Sequence, residues 1–290
     1  MRMVKGDTYV VESPTNVGLI LGDQVIMVDS FSNERNAKEF LREIHEDEIG
    51  VDHVINTHFH ADHLQGNRIF QNRMGSRIWI KSVERGFVEH PELEGYYLFG
   101  AEPIKELRVS HFKAKPSKVN ELEDFNSDLI EIVDLPGHSP GHVGVLTKDG
   151  VLFCGDVYFG REIIKKYIYP YHTDIEKAIE SMEKLLKMKN VEFFVPSHGE
   201  VSSDPTKEIE MNRRMLENFM QSSLNFLRKP MTMEELMERL IDKFELNLNV
   251  GTYFLFRSFT SAMLKYLYER ELILNTLVEG RMVWFERSSG

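Results

Sequence analysis

Residues 54–67 read Val-Ile-Asn-Thr-His-Phe-His-Ala-Asp-His-Leu-Gln-Gly-Asn. An apolar pair, Val54-Ile55, enters this stretch and a helix-like pattern leaves it. Between them four candidate metal ligands, His58, His60, Asp62 and His63, fall within six positions. His58 and His60 are two apart, so on an extended segment they point the same way. Asp62 and His63 follow where a strand ends and a helix starts, so they can turn toward a second point beside the first. One helix face could not present all four. Histidines clustered at this spacing, between two structured elements, point to metal binding rather than to a polar loop.

The surrounding chain alternates strand and helix patterns. Thr8–Val11, residues 17–21 and residues 24–28 are short apolar or β-branched runs punctuated by Pro14, Gly18 and Gly22-Asp23, which predicts strands. Residues 33–46 carry a helical stripe (Ala37, Phe40, Leu41, Ile44) with Asn33 as N-cap. Residues 51–56 predict the strand that feeds the histidine cluster, and 77–80 another. Such alternation predicts an α/β core with helices on sheet faces. Residues 85–128 hold Pro91, Pro103 and Pro116 and an aromatic patch at Tyr96-Tyr97-Leu98-Phe99. They read as a long irregular segment, either a lid or a surface insertion packed by its own aromatics. Strands are predicted again at 129–133, 143–146 and 151–154, with Lys148-Asp149-Gly150 as a hairpin turn. An amphipathic helix over 174–188 and a buried strand over 191–195 complete this part.

After Asp204-Pro205 the pattern changes. A long helix is predicted over 206–228. A second starts at Thr232, with Glu235 at the capping-box spacing. A third covers about 253–271, and a β-hairpin is formed by 272–277 and 282–285. The chain is therefore expected to divide into a catalytic domain, 1–204, and a small helical, winged-helix-like domain, 205–290.

Further candidate ligands stand at the ends of the later strand-like runs. They are His138 in Pro136-Gly137-His138-Ser139-Pro140-Gly141-His142, Asp156 after Cys154-Gly155, and His198 in Pro196-Ser197-His198-Gly199. Strand ends hold ligands rigidly while leaving a side open to substrate, as a catalytic metal requires.

Taken in order, His-X-His-X-Asp-His, Pro-Gly-His-Ser-Pro-Gly-His, Gly-Asp and Ser-His-Gly resemble the metallo-β-lactamase superfamily over about residues 8–203, with Asp29 at the place of its structural aspartate. The resemblance implies a four-layer αββα sandwich with metals along one edge. It assigns one metal to His58, His60 and His138, and a second to Asp62, His63 and His198, with Asp156 bridging. Two zinc ions per chain would share a hydroxide for attack on an ester, thioester or lactone of a small metabolite, with Asp62 as the catalytic residue holding it. His142, Tyr158 and His172 are expected near the substrate pocket: His142 supporting a ligand or lining the pocket rather than ligating, Tyr158 donating to a developing oxyanion or else packing, and His172 from the loop before a helix. Cys154 reads as core, not nucleophile.

Two other chemistries are open on the same motifs. One is cleavage of single-stranded RNA, which relatives with a winged-helix tail perform. The other is persulfide oxidation at a single iron. The net charge of −11 opposes a general polyanion-binding surface. Residues 205–290 carry 12 Lys/Arg and 12 Asp/Glu, a net of zero where a duplex reader would be basic. A small molecule is thus the expected partner, and the tail is expected to cover the pocket or to form a homodimer contact. No stretch reaches the ~18 apolar residues of a membrane helix. The single cysteine, and an N-terminus without the apolar core of a signal peptide, fit a cytoplasmic location.

Overall fold

Along each central strand, successive side chains fall alternately into different apolar cores. Val17, Leu19, Met27 and Val54 join one cluster, whereas Ile20, Ile26, Val28 and Ile55 join another. Farther on, Leu146, Leu152 and Cys154 face a third cluster while Val143, Val145, Val151 and Phe153 face the second. This period of two, buried on both sides, dictates two sheets stacked face to face and covered outside by helices. The computed structural model describes residues 1–287, and its layers are α, β, β and α.

The first sheet has seven strands in chain order: β1 (Arg2–Lys5), β2 (Thr8–Val11), β3 (Val17–Ile20), β4 (Ile26–Val28), β5 (His53–Ile55), β6 (Arg77–Ile80) and β7 (Val119–Glu121). Pairing is antiparallel from β1 to β4 and parallel from β4 to β7. The second sheet contains β8 (Ile130–Asp134), β9 (Val143–Thr147), β10 (Val151–Gly155) and β11 (Phe193–Pro196), in the order β11-β10-β9-β8. Parallel pairing of β10 with β11 brings the ends of both to one edge.

Helices α1 (Glu34–Glu46), α2 (Ala61–Leu64) and α3 (Asn67–Met74) belong to the first half. The expected cap holds: the Asn33 side chain accepts the Asn36 N–H at 2.8 Å. Gly66 separates α2 from α3, where the sequence suggested one continuous helix. The segment 85–128 is more regular than its prolines and glycines implied. It contains α4 (Arg85–Glu89), α5 (Glu92–Phe99) and the edge strand β7. Two further elements escaped the sequence reading, β1 and α6 (Arg161–Tyr167). Both are short, and period counting has little to work on in so few residues.

α7 (Ile175–Lys187) packs on the second sheet with Asp174 as its cap. α8 (Thr206–Phe226), α9 (Met233–Lys243) and α10 (Val250–Glu269) follow, then the hairpin β12 (Ile273–Val278) and β13 (Arg281–Glu286). The capping box at Thr232 and Glu235 is formed. Phe219, Phe256, Phe259 and Ile273 of this region join the same buried cluster as Leu152, Tyr158 and Met182 of the sandwich. The tail shares a core with the second sheet. α10 also touches α5, so the two walls of the cleft described next meet there.

Candidate metal centre

The seven candidate ligands follow the carboxyl ends of β5, β8, β10 and β11, five in short loops and two, Asp62 and His63, in the single-turn helix α2. Three groups have donor atoms within 4.8 Å of one another: His58, His60 and His138; His58, His63 and Asp156; and Asp62, His63 and His198. Asp156 stands between them. One of its oxygens is 3.6 Å from His63 Nε2, and the other is 3.5 Å from His138 Nε2 and 3.6 Å from His198 Nε2. Asp62 Oδ2 is 3.2 Å from His198 Nε2. The structure thus gathers the residues into the two triads the resemblance implied, with Asp156 central to both.

Four of the five candidate imidazoles, all but His60, are aimed by a partner on the other nitrogen. His63 Nδ1 lies 2.8 Å from Asp29 Oδ2, His138 Nδ1 2.8 Å from the Tyr171 carbonyl, and His198 Nδ1 2.7 Å from the Pro14 carbonyl. Carbonyl and carboxylate oxygens only accept, so Nδ1 carries a proton and Nε2 is the atom turned inward, able to ligate once any second proton has left it. His58 Nδ1 meets the Thr57 hydroxyl at 3.0 Å. That hydroxyl gives its own proton to Asp29, so it accepts from His58. Asp29 has a left-handed backbone (φ 59°), a conformation sparsely populated outside glycine. There its carboxylate accepts the Thr57 N–H at 2.8 Å and fixes His63 as well.

The donor set fits metal ions by a direct criterion. His58 Nε2, His63 Nε2 and Asp156 Oδ1 are buried and have no hydrogen-bond partner. Buried polar atoms are nearly always paired, and three convergent unpaired acceptors in one place are what a cation would satisfy. His60 Nδ1 and His138 Nε2 lie 2.8 Å apart, two nitrogens turned toward a common point. Burial, then the neighbouring histidines, hold His58 and His60 well below the usual imidazole range, which keeps them as neutral ligands. His198 differs: burial pulls it down, but Asp156 and Asp62 outweigh that and carry it up to about 9. A proton there serves as counter-charge to the two carboxylates in the metal-free chain.

His60, Asp62, His138, Asp156 and His198 form the floor of a cavity of about 430 Å³. Its walls come from elsewhere: Phe159 and Tyr167 around α6, Glu94 of α5, Phe112 before β7, and Thr252 and Leu255 of α10. The residues expected at the pocket stand behind the site. His142 Nε2 accepts the Asp156 N–H at 2.9 Å while Nδ1 donates to the Leu135 carbonyl, and burial pulls the ring down to about 3. Tyr158 is packed in the core shared with the tail. His172 is fully buried beside His138 and Phe159. None of the three lines the cavity. Cys154 is core as expected, its thiol pushed up to about 12 by burial.

Several supports gave no signal in the sequence. Glu84 is fully buried and accepts hydrogen bonds from the Ser139 hydroxyl and, at 2.8 Å, the Gly141 N–H. It anchors the loop that carries His138, and burial pushes its carboxyl up to about 7. The Asn16 amide donates to the carbonyls of Pro196 and Gly199 at 2.9 and 2.8 Å, clamping the His198 loop. Glycines beside the ligands make room for protein rather than substrate. At Gly137 (φ 129°) a Cβ would overlap the Ala178 backbone, and at Gly155 (φ 57°) the His142 ring.

The metallo-beta-lactamase superfamily profile matches residues 10–198. The chain is 28% identical over 165 residues to hydroxyacylglutathione hydrolase GloC of Haemophilus influenzae, covering 56% of this chain and 76% of the relative. It is 31% identical over 143 residues to a protein of Methanocaldococcus jannaschii described as a probable metallo-hydrolase, covering 49% of this chain and 55% of that one. Among solved structures, a beta-lactamase domain protein from Burkholderia ambifaria superposes with a TM-score of 0.77 at 17% identity, over 98% of this chain and 93% of its own. At that identity the likeness speaks for the fold, and it extends through the tail. The chain is a hydrolase of the metallo-beta-lactamase superfamily.

Proposed function

We propose that the protein uses two zinc ions to hydrolyse an ester, thioester or lactone of a small metabolite. The observation that carries this reading lies at and beneath the floor of the cavity, where His58 Nε2, His63 Nε2 and Asp156 Oδ1 are buried close together without hydrogen-bond partners. His58, His60 and His138 would hold one ion, Asp62, His63 and His198 the other, and Asp156 both. Bound there, a metal pair supplies Lewis acidity and lowers the pKa of water, so that a nucleophile is available at neutral pH. Imidazole and carboxylate donors suit zinc.

The chain's own residues supply the rest. Asp62 is only partly buried and opens on the cavity. Its carboxylate, held well below the usual range by His63 and His198 against the cost of burial, stays ionised and can orient attacking water by accepting its hydrogen bond. Phe112, Phe159, Tyr167 and Leu255 exclude bulk water and hold the apolar part of the acyl group. RNA fits this cavity less well. Lys166 is the single lysine or arginine among the residues lining it, whereas strand binding is dominated by phosphate neutralisation.

The test is elemental analysis of purified protein, followed by turnover of simple thioesters and esters by wild type and Asp62→Ala. About two zinc per chain, and turnover lost in the variant, are expected. One iron per chain would replace this reading with persulfide oxidation, and cleavage of single-stranded RNA without ester turnover would replace it with a nuclease.

A further inference from the structure

Three acidic side chains near the centre are buried and not ligands, Asp29, Glu84 and Glu94, and the last differs from the other two. Asp29 is bonded to Thr57 and His63. Glu84 is bonded to Ser139 and Gly141. Glu94, only 7% exposed, makes no hydrogen bond or ion pair with any described residue. It projects from α5 into the cavity wall, on the side where α5 meets α10. Burying a polar group without a partner is costly. No donor among the described residues offsets that cost, and the carboxyl faces the cavity, where only what enters can pair with it. The cost is recovered when something entering the cavity pairs with the carboxyl.

The kind of partner follows from the surroundings. Glu94 shares the cavity with the cluster that would hold two dications, so a cationic substrate group would be repelled by the ions. The neighbouring wall, including Phe112, Tyr171 and Leu255, is largely aromatic and apolar, which selects against a strongly hydrated group. A neutral group able to donate a hydrogen bond meets both conditions. We propose that Glu94 is the specificity-determining residue of the cavity, pairing with a hydroxyl or amide N–H carried on the acyl part of the substrate. The proposal rests on the hydrolase reading for the words acyl and substrate, and on the buried, unpartnered carboxyl for the selection itself. Sites built to pair with a polar substrate group discriminate strongly against analogues that lack it.

The test reads binding rather than turnover. Metal-loaded full-length protein is titrated calorimetrically with butyrate, with 2-, 3- and 4-hydroxybutyrate, and with 3-aminobutyrate. Wild type should bind at least one hydroxy acid about tenfold tighter than butyrate. In Glu94→Leu, at unchanged metal content, the two should become equal. Glu94→Gln, which keeps a donor and an acceptor, should retain most of the preference. Equal affinities in wild type, or a preference that survives Glu94→Leu, overturn the proposal. Tightest binding of the amino acid overturns the neutral partner in favour of a cation. A preference without hydrolysis of the matching esters would strike the hydrolase reading and leave Glu94 as a ligand selector. Hydrolysis without a preference would do the reverse.

Discussion

The floor and the walls of the cavity are built in opposite ways. The floor is assembled from segments at the ends of β5, β8, β10 and β11, each held from behind by a named partner: Asp29 after β5, Tyr171 after β8, His142 after β10, and Pro14 with Asn16 after β11. The walls come from α5, α6, α10 and the stretch before β7, which pack against one another through aromatic contacts such as Phe99 on Phe254. A metal centre requires fixed geometry, so its ligands sit on the rigid sheet edge. A wall sets which substrate enters, and helices added outside the sheets can change without disturbing the ligands. The difference teaches that chemistry and selectivity are carried by separate layers of this molecule.

The sharpest way to break this division is to remove the residue common to both triads. Asp156→Ala should lower metal content to at most one ion per chain, and reduce turnover by more than the ~10–100-fold that mutation of a ligand's outer partner costs. Elemental analysis and steady-state kinetics would show it. Full metal occupancy in the variant would end the bridging assignment.

Next comes a support that touches no substrate. Glu84→Leu should weaken metal affinity by about 10–100-fold, measured by competition with a chromogenic chelator, because the His138 loop loses its anchor. The same residue has a pH signature. Its folded pKa of about 7 lies above the ordinary 4.5 of a glutamate, so the folded state retains the proton longer. Stability is therefore highest below about pH 4.5 with respect to this group. It declines as pH rises toward 7 and is flat above, a loss of up to about 3 kcal/mol. Glu84→Gln should remove that slope from denaturation midpoints measured between pH 5 and 7.

On the wall, Leu255→Ala should raise KM about 10-fold or more with little change in metal content, since a truncated apolar contact forfeits about 1–3 kcal/mol. A change in metal content would show that floor and wall are not separable. The smallest effect is expected in the tail. Thr232→Ala removes the capping box of α9 and should cost ~1 kcal/mol of stability, read by thermal unfolding, with kinetics unchanged.

How much of this was legible beforehand differs by layer. The candidate ligands were marked by local signals: His58, His60, Asp62 and His63 by their clustering, and His138, Asp156 and His198 by the glycines and prolines beside them at strand ends. The central strands β3, β4, β5, β9 and β10 were readable because their largely apolar or β-branched residues are buried on both faces. His142, Tyr158 and His172 look the same in sequence as the floor residues, yet they turn inward. Nothing local says which side of a loop a side chain will take. Glu84, Glu94 and Asn16 resemble ordinary surface residues of helices and turns, and only burial distinguishes them.

The sequence by itself determined the α/β architecture, the candidate ligands and the chemistry such ligands would permit. Alternation with a period of two and metal-donor spacing are properties of neighbouring residues. The tertiary structure alone decided the cavity. Phe112, Leu255 and Glu94 lie far apart in the chain and meet only because the tail shares its core with the second sheet and α10 closes on α5. Contacts between distant segments leave no periodic trace, because each partner is specified by packing against the other.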